Sequence, residues 1–311
     1  MGAGCSSLAD TPCSNRAAVQ RLSLDCWRQN SRGGLTMAHG IRATPLQIAC
    51  RWGVPVVATL ACIFLVAPIL IFLPLSFNSG SFFRFPLDGL SLRWYQDLFT
   101  SPFWIRSLFN SLLVGACATA LAMALGVPAA FGLWKATFRG KSLLVGLLIS
   151  PMMVPVIITG VSVYYASAPF LLNNTYIGLI LAHTAIAVPF VIVTVSASLS
   201  GFNPDYLRAG ASLGAPPLLI FRRITLPLIL PGVVSGALFA FSASFDDVVI
   251  ALFMAGPEQR TLPRQMLTAS VDGFRLTITA AASLMILISV ALMAVILMLQ
   301  RRSQRLAAKI A

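Results

Sequence analysis

The chain has 311 residues, of which 58% are hydrophobic and 10% are charged, and its formal net charge at pH 7 is +13. A soluble domain does not bury so large an apolar fraction, so the composition excludes a soluble globular protein and predicts a polytopic membrane protein in a lipid bilayer. Since Lys and Arg accumulate on the cytoplasmic loops of membrane proteins, the positive charge needs no nucleic-acid partner.

The first 36 residues are polar and lack the apolar core of a signal peptide, which predicts a disordered tail or an over-extended start. A transmembrane domain is expected over residues 37–311. Six cysteines show no metal-ligand spacing, and the P-loop-like stretch 135–142 lacks its first glycine and follows no strand. We therefore expect no metal, no cofactor and no ATP bound by this chain itself.

Six apolar stretches follow, each near the ~20 residues that cross a bilayer as a helix. They cover about residues 54–77, 107–134, 143–167, 176–200, 227–254 and 277–299. Prolines inside four of them, Pro68, Pro128, Pro155 and Pro189, predict kinks. The predicted fold class is therefore an all-α polytopic membrane protein with six transmembrane helices.

Basic residues are distributed unevenly between the two sides of these helices. With the N-terminus placed in the cytoplasm, the cytoplasmic segments from residue 37 onward carry twelve basic residues and one acidic residue. The outer segments carry six basic and six acidic residues. Because Lys and Arg favour cytoplasmic loops, both termini are predicted to be cytoplasmic.

The largest internal cytoplasmic segment covers residues 202–225, which we name the bracket. It opens with helix-start signals, because Asn203 is a good N-cap, Pro204 suits the first helical position and Asp205 complements the positive helix end. Gly214 is placed to stop that helix in a left-handed conformation. The segment is therefore predicted to begin with a short, well-bounded helix.

Pro216 and Pro217 then allow a second short helix to start in a new direction. This helix carries apolar residues 218–221 beside Arg222 and Arg223. Physical chemistry alone leaves two interpretations open. The bracket is either an interfacial helix pair with its arginines on lipid phosphates or a docking element for a cytoplasmic partner.

The bracket resembles the coupling loop of ABC-importer permeases, whose pattern is Glu-Ala-Ala, three residues, Gly, and about nine residues to Ile-x-Leu-Pro. The corresponding positions are occupied here by Arg208, Ala209, Gly210, Gly214, Ile224, Leu226 and Pro227. Two positions depart from the pattern. Arg208 reverses a charge, which predicts a compensating change on the partner, and Gly210 replaces Ala at a cost of about 1 kcal/mol in a helix.

Two other stretches extend the resemblance. Residues 110–133 resemble the second helix of such permeases, and residues 244–266 resemble the end of the fifth helix and the following loop of the spermidine/putrescine-type branch. The resemblance implies the fold of a type I ABC-importer permease. It also implies a non-enzymatic subunit that imports a polyamine across the bacterial inner membrane by alternating access.

The same resemblance implies the partners. They are a second homologous permease chain, two cytoplasmic ATP-binding subunits that hydrolyse ATP, and a periplasmic solute-binding protein that delivers the substrate. The family's coupling loop sits in a cleft of the ATPase and transmits its closure to the membrane helices.

Charges inside spanning helices are costly and are therefore candidates for the transport pathway. Asp246 and Asp247 near the outer end of the fifth predicted helix, with His183 at similar depth in the fourth, are the candidates here. The carboxylates could offset the desolvation of polyamine ammonium groups. Alternatively, they cap backbone amides or pair with Arg260 or Arg264, and His183 is structural.

The Gly-x-x-x-Gly pattern at 232–236 permits close helix packing, either within the chain or against the sister permease. Other functions are also weighed. An ABC permease for an aminophosphonate, an iron complex or an opine-like compound fits the same pattern. A secondary transporter lacks the expected inverted repeat, and a membrane enzyme lacks a catalytic constellation.

Overall fold

The computed structural model describes residues 45–80, 89–272 and 276–310, so the predicted tail over residues 1–36 lies outside the described residues. The chain divides into two compact units, residues 1–64 and 65–311. The described residues of the first unit belong to helix α1 (Pro45–Leu75).

In its described part, the second unit contains eleven further α-helices. They are α2 (Arg93–Thr100), α3 (Pro102–Lys135), α4 (Lys141–Ile149), α5 (Val156–Ser167), α6 (Tyr176–Ser200), α7 (Asp205–Ser212), α8 (Pro217–Ile220), α9 (Leu226–Phe245), α10 (Val249–Met254), α11 (Leu262–Asp272) and α12 (Thr277–Ile310). A π-helical turn over Phe221–Thr225 joins α8 to α9, so the two form one continuous helix.

Five helical stretches among the described residues are long and apolar enough to cross a membrane. They are Val56–Leu75, Pro102–Lys135, Tyr176–Ser200, Pro217–Phe245 and Thr277–Val295. The bent pair α4–α5 makes a sixth if it is counted as one span. The predicted all-α fold with six spans is confirmed on that count.

The third predicted span, 143–167, is two helices rather than one. Each of α4 and α5 ends in a 3₁₀ turn. The two helices meet at a short break, where their axes form an angle of 100°. Pro155 lies at that break in an extended conformation, with φ −53° and ψ 129°. Proline lacks a backbone donor and disfavours helical geometry in the residue before it, so the expected kink becomes a full interruption.

The fifth predicted span, 227–254, also differs. Its helix begins ten residues earlier, at Pro217, because the π-helical turn accommodates Pro227 without a break. The helix ends at Phe245, and α10 follows as a separate element. The second half of the bracket is therefore the first part of a spanning helix and not an independent short helix.

α3, α6 and α9 pack together and form the main core cluster of the unit. Small residues allow this close approach. A Cβ atom at Gly232 would lie 1.9 Å from Ser198 Oγ, and one at Gly236 would lie 2.6 Å from Thr194 Oγ1. The Gly-x-x-x-Gly pattern therefore serves packing of α9 on α6 within the chain, which answers the question that the sequence left open.

α3 and α6 run parallel, and contacts at both of their ends establish this direction. Near their starts, the Tyr176 hydroxyl donates to Asn110 Oδ1 at 3.0 Å. At their other ends, the rings of Trp134, in the last turn of α3, and Phe202, just past α6, lie 5.5 Å apart. We name these the far end and the bracket end.

Candidate functional site

The first helix of the bracket is bounded by the signals that the sequence contains. The Asn203 Oδ1 atom accepts the backbone N–H of Asp205 at 2.9 Å, but the helix begins at Asp205 with Pro204 as its N-cap residue, one position later than the sequence predicts. Pro204 precedes the first residue of α7, and its carbonyl oxygen accepts the N–H of Leu207 at 3.0 Å. The start of α7 is thus set by local contacts alone.

The stop of α7 is a Schellman arrangement around Gly214, whose φ of +75° confirms the predicted left-handed conformation. The Gly214 N–H donates to the Ala211 carbonyl at 2.9 Å, and the Ala215 N–H donates to the Gly210 carbonyl at 3.2 Å. Both bonds satisfy carbonyl groups that a helix end leaves open. The turn therefore points the chain in a new direction at a defined angle.

Gly210 is the buried residue of α7, and its position explains why it replaces the alanine of the family pattern. A Cβ atom there would lie 3.1 Å from Ile220 Cγ1 and 3.2 Å from Ile224 Cδ1. The missing side chain lets α7 pack tightly on the continuous helix. Glycine lowers the helix propensity of α7, as the sequence predicts, and at the same position it allows the close packing of α7 on the continuous helix.

The rest of α7 faces away from the bundle. The Arg208 side chain is 81% exposed and binds the Asp205 carboxylate at 3.0 Å, while Ala209 is exposed. Four large apolar side chains of the bracket are exposed as well: Tyr206, Leu213, Leu218 and Leu219. A short polar segment with exposed apolar side chains is the kind of surface that binds another protein.

Of the remaining pattern residues, Ile224 and Leu226 are half-buried and Pro227 is exposed near the start of α9. Leu226 packs against the main core. These residues connect the bracket directly to a spanning helix.

Five aromatic rings join the bracket to the bundle, and we name them the ring cluster: Phe131, Trp134, Phe202, Tyr206 and Phe221. Ring centroids are separated by 5.0 Å for Phe131–Phe221, 5.5 Å for Trp134–Phe202, and 6.0 Å for both Phe131–Trp134 and Phe202–Tyr206. These distances lie in the favourable range for aromatic pairs. The cluster ties α3 to the entrance of the bracket and to the continuous helix.

The structure separates the roles of the two adjacent aspartates. Asp247 Oδ2 accepts the backbone N–H of Ile250 at 2.8 Å and of Ala251 at 3.3 Å, so it caps α10. Asp246 is exposed, and its Oδ2 atom accepts a long 3.4 Å hydrogen bond from Ser242. The capping interpretation therefore describes Asp247, and Asp246 is the more exposed of the two carboxylates.

His183 is fully buried in α6, where its Nδ1 lies 2.9 Å from Ser244 Oγ of α9. Its Nε2 atom has no hydrogen-bond partner among the described residues. Ser244 precedes Asp246 by two residues, so the three predicted pathway residues share one region. Within the described chain, however, no hydrogen bond or ion pair joins His183 to either carboxylate.

Neither aspartate pairs with the arginines that the sequence offered. The Arg264 side chain donates to the Ala255 carbonyl, and the two ion pairs among the described residues are Arg106–Glu258 and Arg208–Asp205. Arg260 Nε is buried without a hydrogen-bond partner in the described structure.

Residues 255–261, which we name the far loop, are held by side chains that the sequence analysis missed. Asn110 Nδ2 donates to the carbonyls of Glu258 at 2.8 Å and Arg260 at 3.0 Å, and the Tyr176 hydroxyl donates to the Glu258 carbonyl at 3.1 Å. Ser111 Oγ accepts the Leu262 N–H at 2.7 Å. The sequence contains a signal for these contacts. Asn110 and Ser111 are adjacent polar residues in an otherwise apolar stretch, and buried polar side chains need hydrogen-bond partners.

In residues 45–80, 89–272 and 276–310, no three His, Cys, Asp or Glu side chains come together in a way that could hold a metal ion.

Comparison with known proteins gives concordant findings. A family model described as binding-protein-dependent transport system inner membrane component matches residues 122–306. The chain is 34% identical over 242 residues to the spermidine/putrescine transport system permease protein PotC of Haemophilus influenzae, covering 77% of this chain and 93% of that one. It is 34% identical over 238 residues to the putrescine transport system permease protein PotI of Escherichia coli K12, covering 74% and 84%.

Among solved structures, the chain is similar to one from a bacterial ABC transporter involved in the import of the acidic polysaccharide alginate. The TM-score is 0.60 and the identity 16%, and the match covers 82% of this chain and 97% of that one. This likeness concerns the fold alone.

Proposed function

Since this chain belongs to the family of binding-protein-dependent transport system inner membrane components, we propose that it is the permease subunit of an ABC importer for polyamines such as spermidine and putrescine. The observation that carries the proposal is the similarity to two polyamine permeases, which extends over 77% and 74% of the chain. The subunit performs no covalent chemistry of its own.

The charge distribution supports an orientation in the inner membrane. Lys and Arg concentrate in the segments on the bracket's side of the helices, and such segments face the cytoplasm. On this orientation both termini and the bracket are cytoplasmic, and the far loop is periplasmic. The far loop then lies on the side from which a solute-binding protein delivers its substrate, and a second homologous permease completes the pathway.

The bracket is the element of this chain on which one of the two cytoplasmic ATP-binding subunits acts. Its exposed side chains Tyr206, Leu213 and Leu218 supply the docking surface, and the ion pair Arg208–Asp205 lies beside them. When the ATPases close, movement of the bracket passes through the ring cluster to α3 and through the continuous helix to α9. These helices then change between outward-open and inward-open arrangements.

Asp246 is the residue of this chain that we assign to the cationic solute. The ammonium groups of a polyamine are strongly hydrated and lose water when they enter the pathway. A carboxylate must therefore offset the cost of their desolvation. Asp246 is exposed, makes one long hydrogen bond and forms no ion pair with any described residue. These features leave its charge available, whereas Asp247 is engaged with backbone amides.

Uptake of radiolabelled spermidine and putrescine into proteoliposomes that contain the full transporter tests the function. We expect ATP-dependent uptake of both, and Asp246→Asn should lower it about tenfold, since a hydrogen bond to a charged group contributes about 1.5 kcal/mol or more. Glu258→Gln is the matched control, because it neutralises an exposed carboxylate of the far loop.

Two results would contradict these assignments separately. If the wild-type transporter imports another solute class and no polyamine, the proposed function is wrong. If Asp246→Asn lowers the uptake of neutral and cationic solutes equally, Asp246 has a structural role instead.

A further inference from the structure

A groove that the transport mechanism does not use lies beside α4, where α3, α4 and α6 leave a gap. Its walls include the apolar side chains of Leu133, Val145, Ile149 and Ile192, and Lys141 stands at one end. α4 runs from Lys141 to Ile149, a length of about 12 Å at 1.5 Å per residue. One leaflet of a bilayer has a hydrocarbon depth of about 15 Å, half of the full core.

A second hollow adjoins this groove, and Trp134 borders both. Lys135 at the end of α3 and Arg208 of the bracket line the second hollow. Arg208 binds Asp205 through one N–H group at 3.0 Å, and its guanidinium carries further donors. Lys141 donates to a backbone carbonyl at 3.2 Å, which leaves two of its three N–H groups.

We propose that the groove and the hollow together bind one anionic phospholipid of the inner leaflet, with an acyl chain along α4 and its phosphate among Lys135, Lys141 and Arg208. Three cations face one carboxylate there, and basic pockets at the cytoplasmic ends of membrane helices bind anionic headgroups. The proposal rests on one part of the proposed function, the cytoplasmic orientation of the bracket, and is independent of the transported solute.

Other occupants match the two hollows less well. A helix of a neighbouring subunit would fill the apolar groove without using the cations at its end. Free phosphate would bind the cations and leave the half-buried apolar side chain of Val145 uncovered. A single phospholipid would cover the apolar groove with its acyl chain and bind the cations of the second hollow with its phosphate. Because the second hollow lies between the end of α3 and α7, the bound headgroup would also support the bracket from the membrane side.

Native mass spectrometry of the purified complete transporter tests the charged half. The probes are dioleoylphosphatidylglycerol and dioleoylphosphatidylcholine, titrated in mixed micelles. We expect preferential retention of phosphatidylglycerol, and the double variant Lys135→Gln/Lys141→Gln should weaken it about thirtyfold, since each basic residue at an anionic surface contributes about 1 kcal/mol. The control variant Arg139→Gln/Arg223→Gln removes equal charge from exposed positions outside both hollows.

A second pair of variants tests the apolar half without altering any charge. Val145→Trp fills the groove, and we expect it to weaken the binding of phosphatidylglycerol tenfold or more. Leu143→Trp is its control, because Leu143 is 80% exposed on the same helix and lies outside the groove.

Four outcomes would overturn the proposal. Equal retention of the two lipids, or an equal loss in the charge-matched control, would mean general attraction to the membrane surface. Displacement of bound phosphatidylglycerol by millimolar inorganic phosphate in Val145→Trp and wild type alike would indicate a simple anion site. Dissociation of the transporter by Val145→Trp would indicate a subunit interface. Polyamine uptake by the wild type is measured in parallel, so failure of the proposed function is seen separately.

Discussion

The bracket contacts the helical bundle through aromatic rings, whereas the far loop is fastened to the bundle by hydrogen bonds. α7 buries Gly210 and leaves Tyr206 and Leu213 exposed. In the far loop, the backbone carbonyls of Glu258 and Arg260 are held by Asn110. Both segments connect to α3, one near each of its ends.

The difference follows from the physics of the two kinds of contact. Ring contacts tolerate sliding and tilting, because aromatic pairs are favourable over a range of centroid distances and angles. Hydrogen bonds to buried carbonyls are directional, and breaking one leaves an unpaired polar group. On the proposed function, the ring contacts would let the bracket pass a movement to the helices, and the hydrogen bonds would keep the far loop in its conformation.

The strongest test of the bracket is Gly214→Pro. Proline fixes φ near −65°, whereas Gly214 has φ +75° and donates its N–H to Ala211, so the turn between α7 and α8 is lost. We expect uptake to fall to background while the chain still inserts and assembles, as measured by uptake and by detergent extraction. Gly214→Asn is the control, because asparagine tolerates the left-handed region and should retain most of the activity.

The next largest effect is expected for Trp134→Ala, which removes the ring that joins α3 to Phe202. Uptake per ATP hydrolysed should fall about tenfold, while hydrolysis by the ATPase subunits changes less than twofold. Trp134→Phe keeps a ring and should preserve the ratio. A parallel loss of hydrolysis and uptake would show that the ring positions the docking surface instead of transmitting its movement.

At the far end, Asn110→Ala removes three hydrogen bonds and leaves two carbonyl groups without that donor. Each such bond contributes about 1 kcal/mol, so the thermal midpoint of the transporter should fall by about 5 °C. The ratio of uptake to hydrolysis should stay unchanged in the molecules that remain folded. Thr100→Ala, which removes an exposed helix-end hydroxyl, should shift the midpoint by less than a degree.

The smallest effect is expected for Arg106→Gln, which breaks the ion pair with Glu258. Both side chains are more than half exposed, so the pair contributes less than about 1 kcal/mol and is screened by salt. The thermal midpoint should fall by about 2 °C at low salt and by less at 0.5 M salt. A loss as large as that of Asn110→Ala would mean that the ion pair, and not the buried amide, secures the far loop.

Local signals determined much of this protein from the sequence alone. Asn203, Gly214 and the bounds of α6 follow from interactions within a few residues, namely a cap, a positive φ and an apolar run of spanning length. The uneven distribution of Lys and Arg between the two sides of the helices can also be counted from the sequence. The same holds for the spacing of the pattern residues around Gly214, and neither depends on packing. Such local features do not depend on how the rest of the chain packs.

The tertiary structure decided the features that join distant residues. Pro155 lies at a 100° bend whereas Pro227 lies in an unbroken helix, and the prolines alone do not distinguish these two outcomes. Asn110 meets Glu258 across 148 positions of sequence. A polar residue in an apolar stretch predicts that a partner exists, but the partner is chosen by the packing of the helices, since a buried donor takes whichever acceptor the fold brings within reach.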